Sequence, residues 1–345
     1  MEMRTIVGSL RIIGVALMCA MLLPPVHHAY ADFTPPRYQL QMVLADSALD
    51  DNGNLYVIVN SWTSDQRNLK RILPDRTVDE SFRLARLDEC CTVNPMFVDT
   101  DAAGNIYIVT FQDWLDNFVV VKYDSKGEII KEFAADGILK YPFKNPADLA
   151  VNSDGAAYVL DAGTPDLFYI APDGSETRGL VDQYYSLQKP IKLVLGPDNR
   201  IYLFDIFDTT FTNYDILEGI AAFNPDGTPI DDFGTGYGDI NSGRDALGYG
   251  TLTIDPDGSL WVLGPFNNAG PYSGAYHFDR DGVAIGAVPL DYRLADNDPA
   301  VGITADNESG FIMFEISDLY LNVLRYNPDG KVREKFGVEI FKTKM

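Results

Sequence analysis

The sequence is poor in the residues on which many metal-dependent and redox enzymes rely. It contains three cysteines and three histidines. Two of the histidines lie within residues 1–31, which are predicted below to be a signal peptide, so His277 is the only histidine of the predicted mature chain. Sites that need several histidines are therefore excluded, including three-histidine zinc sites and iron sites with two histidines and a carboxylate. The chain also has no phosphate-binding loop, dinucleotide fingerprint or haem-attachment motif. These absences remove several large classes of enzyme.

Basic residues are scarce as well. The chain has 27 Lys and Arg against 50 Asp and Glu, for a formal net charge of −23. Such a balance repels phosphate backbones and anionic lipid headgroups. We therefore expect no nucleic acid and no membrane surface as partners. The acidic surface suits cations, basic proteins, or solubility alone.

Long apolar runs are missing after the N-terminal region. Residues 1–31 combine Arg4 and Arg11 with an apolar run over 12–23 and the small-x-small pattern Ala29-Tyr30-Ala31. This pattern predicts a signal peptide over 1–31, a single mature domain over 32–345, and a periplasmic or secreted location. No later segment is apolar enough to span a bilayer, so no membrane insertion is expected.

A short phrase, with a polar residue or Gly before an apolar run, recurs along the chain. Its six copies are Asn52-Gly53, Gly104-Asn105, Asp154-Gly155, Asp198-Asn199, Asp257-Gly258 and Glu308-Ser309. Each joins two runs rich in β-branched and aromatic residues, which indicates a β-hairpin with a tight turn. Gly is favoured there because such turns need a positive φ. Six copies indicate a repeat protein.

A second series of turns alternates with the first. It contains Gly127, Gly174, Gly227, Gly282 and Gly330, and the first unit has Arg76 at the equivalent position. Two hairpin turns per unit mean four strands per unit. Six units of about 50 residues predict an all-β fold, a six-bladed β-propeller of four-stranded antiparallel blades.

The two turn series also set the limits of the blades. The predicted limits are Tyr38–Leu87, Thr92–Gly137, Pro146–Val181, Pro190–Thr235, Gly250–Leu290 and Ala300–Gly337. Tyr38–Val43 has an alternative role as an outer strand of the last blade, and the sequence does not decide between the two.

The third unit shows a resemblance to a known family. Residues 145–151, 153–155 and 158–161 follow a pattern of Pro, apolar strand, Gly turn and a strand ending in Asp. This pattern resembles NHL-repeat propellers, and Phe233-Gly234 and Phe336-Gly337 are similar to the Phe-Gly that ends such repeats. The resemblance covers nearly all of the chain after residue 31. It implies the propeller fold and no particular activity.

The short Gly turns lie at one end of every blade, here called the turn face, and the variable connections lie at the other end, the loop face. Variable loops are where propellers of this design are expected to bind. Aromatic and carboxylate side chains are mixed there, which suits sugars or cationic ligands. No small-molecule or protein ligand is identified by these features.

Cys90 and Cys91 are adjacent and are the only cysteines after residue 31. In an oxidising compartment they can pair with each other, which gives a strained ring of the kind that is often found at functional sites. Together with Trp62 and Trp114 they are predicted to form a rigid apolar rim of a ligand site on the loop face. The alternative is a structural kink or two free thiols.

Asp161, Asp205 and Glu315 fall at equivalent positions, at the end of the second strand of three blades. Three carboxylates near the mouth of the channel would suit a divalent cation such as Ca²⁺. The alternative is that each Asp ties its own loop to the backbone. Propellers of the gluconolactonase family use a carboxylate and amide site for metal-dependent hydrolysis, but their motif is not recognisable in this sequence.

The leading functional hypothesis is a ligand- or protein-binding propeller without catalytic residues or a required cofactor. The alternative is a metal-dependent hydrolase of the gluconolactonase type that uses Asp161, Asp205 and Glu315. A Ser-His-Asp triad would have to use His277. That residue shares a third-strand position with Arg71, Lys122 and Arg325, and it is predicted to be an outward-facing surface residue.

Overall fold

The computed structural model describes residues 42–61, 64–87, 93–112, 115–181, 187, 190–207, 217–234, 239–241, 252–264, 274–290, 301–317 and 320–339. All of them belong to one compact unit, Leu40–Met345. None of these residues belongs to a helix that is long and apolar enough to cross a membrane.

Six antiparallel sheets follow one another along the chain, and they confirm the six-bladed β-propeller. Blade one contains β1 (Met42–Leu49), β2 (Leu55–Ser61) and β3 (Ser64–Ile72); blade two contains β4 (Pro95–Thr100), β5 (Ile106–Gln112), β6 (Asn117–Tyr123) and β7 (Ile138–Lys140); blade three contains β8 (Pro146–Val151), β9 (Ala157–Asp161), β10 (Asp166–Ile170) and β11 (Thr177–Gly179).

The second half of the ring repeats this order. Blade four contains β12 (Pro190–Leu195), β13 (Ile201–Phe207), β14 (Leu217–Phe223) and β15 (Asp239–Asn241); blade five contains β16 (Leu252–Ile254), β17 (Leu260–Gly264), β18 (Gly274–Phe278) and β19 (Ala284–Pro289); blade six contains β20 (Val301–Ala305), β21 (Phe311–Ser317), β22 (Tyr320–Tyr326) and β23 (Val332–Glu339).

Blade one differs from the other five at its outer edge. Among the described residues it has three strands. The single bridge between Ile72 and Val78 has counterparts in blades two and four, at Tyr123↔Ile129 and Phe223↔Pro229, but in those blades a fourth strand follows. At its inner edge, Met42 and Val43 pair with Ser61 and Asn60. Val43 therefore belongs to the inner strand of blade one and not to the last blade, which supplies all four of its own strands.

Neighbouring blades are joined by buried apolar side chains, with a separate cluster at each of the six junctions. The second strand of a blade contributes to two of them because successive side chains point to opposite faces of a sheet. In β2, Val57 packs in the cluster with blade six, whereas Tyr56 and Ile58 pack in the cluster with blade two. This explains why the second strands are continuously apolar rather than alternating.

The turns adopt the conformation that their residues predicted. Gly53, Gly104, Gly155 and Gly258 have φ between 77° and 90°, and the turn is held from within the chain. In blade one, the Asp50 carboxylate accepts hydrogen bonds from the backbone N–H groups of Asn52 and Asn54 at 2.9 and 2.8 Å. Such Asp-stabilised turns place the two flanking strands in register.

Candidate functional site

In the described part of the chain, four inner strands contain a β-bulge near the loop face. The register of pairing shifts directly before Asp46, Phe97, Asp148 and Lys192. A bulge bends the strand and changes the direction of the following side chain. Three of the four residues that follow a bulge are charged, and the bulges place them at the same height on blades one, three and four.

These three residues form an ion cluster in the central channel. Lys192 Nζ lies 3.0 Å from Asp148 Oδ2 on the preceding blade and 3.8 Å from Asp46 Oδ1. Blade one lies opposite blade four in a ring of six, so Lys192 connects two blades across the channel axis. The Asp148 side chain is 1% exposed and that of Asp46 is 9% exposed. The Lys192 side chain is 25% exposed, so at this height the channel is crossed by charged side chains that range from buried to partly exposed.

Carboxylates of the inner strands also bind the backbone of the next blade. Val98 N–H donates to Asp46 Oδ2 at 2.9 Å, Val151 N–H to Asp99 Oδ2 at 2.6 Å, and Leu193 N–H to Asp148 Oδ2 at 2.7 Å. Among the described strands, none lies beyond the inner strand of a blade, so the N–H groups of that edge need other acceptors. The charged acceptors make strong hydrogen bonds. These hydrogen bonds link blade one to blade two, blade two to blade three, and blade three to blade four.

The cluster contains more negative than positive groups, and this affects its protonation. Burial raises the pKa of both Asp46 and Asp99 to about 7, although hydrogen bonds from backbone N–H groups oppose the shift. Burial lowers the pKa of Lys192, but Asp148 and Asp46 outweigh it and the net shift is upward. Lys192 therefore stays charged, whereas Asp46 and Asp99 take up protons near neutral pH.

A cavity of about 220 Å³ lies inside the channel. Its polar lining comes from Asp46, Ser47, Asp99, Lys192, Thr253 and Thr304. A second cavity, of about 340 Å³, forms the mouth of the channel on the turn face. The two share wall residues on four inner strands: Val151, Leu195, Ile254 and Ala305. A polar cavity of this size has room for several hydrogen-bonded waters.

The predicted metal-binding residues do fall at equivalent positions. Asp161 pairs with Pro146, Asp205 with Pro190, and Glu315 with Val301, each at the start of an inner strand. Asp161 and Asp205 are fully buried. The side chain of Glu315 lies outside the described part of the structure. Within the described residues, no group of three or more His, Cys, Asp or Glu side chains is placed to hold a metal ion.

The contacts of Asp161 are those of the structural alternative. Its carboxylate accepts hydrogen bonds from the backbone N–H groups of Lys144 at 2.7 Å, Asn145 at 2.7 Å and Gly163 at 2.9 Å. Two of these donors belong to the segment that leads into β8, and the third follows Asp161 itself. Asp161 therefore ties two connections of the loop face together.

The other predicted binding residues, Trp62, Cys90, Cys91 and Trp114, lie outside the described residues. The loop-face rim that they were predicted to form stays a prediction.

His277 is more buried than the sequence predicted. It stands opposite Trp261 in the β17–β18 pairing, at the position that Lys122 holds opposite Tyr107. The imidazole stacks on the Trp261 indole, with ring centroids 3.9 Å apart and planes at 6°. Burial lowers the pKa of His277, and its Nε2 lies 2.9 Å from Ser259 Oγ. The side chain covers a buried aromatic ring instead of facing water freely.

The channel residues were not among the sites predicted from the sequence; they are Asp46, Asp99, Asp148 and Lys192. A usable signal was present, since each is the one charged residue of its first strand, as in Ala147-Asp148-Leu149. Charged groups are rarely buried without a partner, so such positions indicate a paired site.

No protein-family model matches the chain, and no curated protein matches it. Among solved structures, it is similar to a chain in the crystal structure of a nidogen/laminin complex, with a TM-score of 0.51 and 14% identity over 78% of this chain and 89% of that chain. This match shows the propeller fold alone, so the NHL-repeat resemblance stays a prediction.

Two further similar structures are enzymes by their descriptions. One is a gluconolactonase from Xanthomonas campestris, with a TM-score of 0.45 and 17% identity over 84% of each chain. The other is a PQQ-bound aldose sugar dehydrogenase from Streptomyces coelicolor, with a TM-score of 0.48 and 13% identity over 83% of this chain and 89% of that chain. Both likenesses are too weak to support a function. The fold and the site define the chain as a six-bladed β-propeller whose channel is crossed by an ion cluster.

Proposed function

We propose that this protein is an exported propeller that binds a small-molecule or protein ligand on its loop face without catalysis. Residues 1–31 serve as its export signal. The observation that carries the proposal is the hydrogen bonding of Asp161, which favours binding over the alternative of metal-dependent hydrolysis.

Hydrolysis of the gluconolactonase type requires carboxylate oxygens that can coordinate a divalent ion. Both oxygens of Asp161 already accept backbone N–H groups. A metal ion that took these lone pairs would leave buried donors unsatisfied, at a cost of about 1–3 kcal/mol each. The arrangement supports a carboxylate that shapes the loop face rather than one that coordinates a metal.

The ion cluster in the channel also supports a binding function for the loop face. Lys192, Asp148 and Asp46 cross it, and their mutual contacts hold the inner strands beneath the loop face. A rigid floor of this kind suits a surface that binds by shape, because its loops are positioned before the ligand arrives. The aromatic and carboxylate residues of the loops then select the ligand. We assign the contact residues to Trp62, Trp114 and the Cys90–Cys91 pair, and the ligand to a sugar or a cationic molecule.

Fluorescence titration of the mature protein tests this proposal, with a series of neutral oligosaccharides, choline and spermidine as probes. We expect a saturable change in tryptophan emission with one probe class, and its loss in the Trp62→Ala, Trp114→Ala double variant. Lys126→Ala, at an exposed turn-face position, is the control and should bind like the wild type. Binding that is unchanged in the double variant would overturn the assignment of the site.

Metal analysis and a lactone hydrolysis assay of the same preparation address the alternative. Stoichiometric Ca²⁺ or Zn²⁺, together with turnover that Asp205→Ala abolishes, would replace the binding proposal by the hydrolase. Mass spectrometry of the unreduced protein tests the rim: a deficit of two hydrogens is expected for a Cys90–Cys91 disulfide, and two alkylatable thiols would contradict it.

A further inference from the structure

The central channel changes in chemistry along its length. Its inner cavity, of about 220 Å³, is lined by the charged side chains of Asp46, Asp99 and Lys192. The mouth, a cavity of about 340 Å³ on the turn face, has mainly apolar side chains in its wall: Val151, Leu195, Pro197, Ile254, Pro256 and Ala305. A charged interior behind an apolar entrance is a pattern typical of small-molecule sites.

The charges of the inner cavity do not balance. Three carboxylates, those of Asp46, Asp99 and Asp148, act on one ammonium group, that of Lys192. Within the described chain, no other basic residue lines either cavity. Lys192 Nζ lies 3.1 and 3.0 Å from the two carboxylate oxygens of Asp148, but 3.8 Å from Asp46 Oδ1, which is beyond hydrogen-bonding distance. Lys192 therefore compensates Asp148 directly and Asp46 only in part.

Asp99 receives still less compensation. Its oxygens accept the backbone N–H groups of Thr100 at 2.8 Å and Val151 at 2.6 Å, and it forms no ion pair with any described residue. Val151 also lines the mouth, so the Asp99 carboxylate lies between the ion cluster and the entrance. Burial raises the pKa of Asp99 to about 7, and the nearby Asp46 adds to the shift. A proton thus supplies the missing positive charge near neutral pH, and a bound cation would replace it.

The lining of the channel determines which kind of cation fits. The described side chains include no group of three or more His, Cys, Asp or Glu that could hold a metal ion. An ammonium group has three N–H donors, which bond to hydroxyls as well as to carboxylates, and Ser47, Thr253 and Thr304 line the same cavity. The apolar mouth favours a hydrocarbon tail, because burial of such a tail removes apolar surface from water. These features together select an amine with an apolar tail.

We propose that the central channel binds a primary alkylamine from the turn face, with its ammonium group at Asp99 and Asp46 and its hydrocarbon tail in the mouth. The ammonium donates hydrogen bonds to the two carboxylates, whose protons pass to the solvent when the amine binds. The tail contacts the wall residues that the two cavities share. This site opens on the turn face, so it is independent of the loop-face function proposed above.

Isothermal titration calorimetry of the mature protein with hexylamine at pH 7.5 tests the proposal. We expect saturable binding that is at least tenfold weaker in Asp99→Asn and in Asp46→Asn, because each variant removes a charge and keeps an oxygen that accepts the backbone N–H. Asp136→Asn, at an exposed turn of blade two, makes the same change and should bind like the wild type. Hexanol and hexanoate carry the tail without the ammonium group and should bind at least tenfold more weakly than hexylamine.

The pH dependence of binding tests the site in the wild type, without any substitution. The affinity for hexylamine should rise at least tenfold from pH 5.5 to pH 8.5, because Asp46 and Asp99 lose their competing protons while Lys192 stays charged.

Three results would overturn the amine site: no saturable binding of hexylamine at millimolar concentration, equal binding of hexanol or hexanoate, or an affinity that is the same at both pH values. Binding that the Trp62→Ala, Trp114→Ala double variant abolishes and Asp99→Asn leaves intact would place the amine on the loop face and overturn the channel site.

Discussion

Five junctions between blades differ from the one that closes the ring. At the five, a turn glycine lies so close to the preceding blade that a Cβ would overlap it. The distances from that Cβ are 2.2 Å for Gly127 to Arg83 O, 2.7 Å for Gly174 to Ala134 Cβ, 2.4 Å for Gly227 to Leu180 O, 2.7 Å for Gly282 to Gly234 N and 2.7 Å for Gly330 to Pro289 O. At the sixth junction the equivalent residue is Arg76, with a φ of 70°.

Arg76 makes its contacts with the end of its side chain. Its guanidinium pairs with Glu334 and lies 5.5 Å from the centroid of the Phe336 ring, both on β23. Blades one and six are thus joined here by a long flexible side chain, whereas consecutive blades are joined by backbone packing. Ala85 N–H, for example, donates to Gly127 O across the first junction at 2.7 Å. A long side chain tolerates a variable distance between blades, which suits the junction that completes the ring. We expect this junction to open first in local unfolding.

The central channel also differs between blades one to four and blades five and six. Carboxylates on inner strands bind backbone N–H groups across the junctions of blades one to four, and Lys192 then connects blade four back to blade one. Blades five and six contribute Thr253 and Thr304 to the channel wall instead of charges. The charged half of the channel is therefore where a single substitution should have the largest effect.

Lys192→Met removes the cation that Asp46 and Asp148 share and leaves two carboxylates in a buried site. Breaking a buried ion pair in this way costs about 3–5 kcal/mol. We expect a loss of that order in the free energy of unfolding, measured by urea denaturation. Lys126→Met, at an exposed turn, should change it by less than about 0.5 kcal/mol. Equal effects of the two variants would contradict a channel held by Lys192.

Gly127→Ala tests whether a turn glycine that contacts the preceding blade is harder to replace than one that does not. Its φ of 87° already disfavours alanine, and the new Cβ would lie 2.2 Å from Arg83 O. We expect a loss of about 2–4 kcal/mol, from positive φ together with overpacking. Gly53→Ala is the matched control, since its φ is 78° and its nearest neighbour would be 3.5 Å away. That variant should lose only about 1 kcal/mol. Similar losses would show that contact with the preceding blade is unimportant.

The fold was predictable from the sequence because its signals are local. A turn glycine at position 53 or 127 and the apolar strands beside it indicate a hairpin without reference to the rest of the chain. Six repetitions then determine the architecture, since each unit needs its neighbours to bury its faces. The role of Arg76 was not predictable in the same way, because Glu334 and Phe336 are distant in sequence.

The channel cluster could not be assembled from the sequence for a related reason. Asp46, Asp148 and Lys192 belong to three different blades, and a bulge decides where each side chain points. One residue more or fewer in the strand would point the side chain to the opposite face of the sheet. The burial of His277 also depends on the Trp261 ring beneath it. Aligning the repeats shows which strand position each of these residues holds, but it does not show which side chains surround it.

The pH dependence of stability tests the protonation of the channel. Asp46 and Asp99 have folded-state pKa values of about 7, above the ordinary value of 3.8, so the folded state binds more protons between about pH 4 and pH 7. Their contribution to stability is therefore largest at the acidic end and is lost as the pH rises through 7. His277 opposes this trend, since its pKa is lowered and its contribution is lost as the pH falls through 6.5.

His277→Asn removes that opposing group and leaves the carboxylates to be measured. In this background we expect the free energy of unfolding to be higher at pH 5 than at pH 8 by roughly 2–3 kcal/mol per carboxylate, because the pKa of about 7 lies two pH units above pH 5 and each unit is worth about 1.4 kcal/mol. Adding Asp46→Asn should reduce the difference. Urea denaturation at the two pH values measures it, and a difference that Asp46→Asn leaves unchanged would place the titrating groups elsewhere.

The smallest expected effect belongs to Arg76→Gly at the ring-closing junction. Glycine relieves the positive φ by roughly 1–2 kcal/mol. The lost pair with Glu334 is worth about 0–1 kcal/mol, because the Arg76 side chain is 59% exposed, and the lost contact with Phe336 is worth about 0.5–1 kcal/mol. The gain and the losses nearly cancel. The free energy of unfolding, measured by thermal denaturation, should therefore change by no more than about 0.5 kcal/mol. Arg76→Ala keeps the strain and loses the pair, so it should be the less stable of the two. Equal stability of both variants would show that the strain at residue 76 is negligible. A large loss in Arg76→Gly would show that the ring depends on this side chain as strongly as the other junctions depend on their glycines.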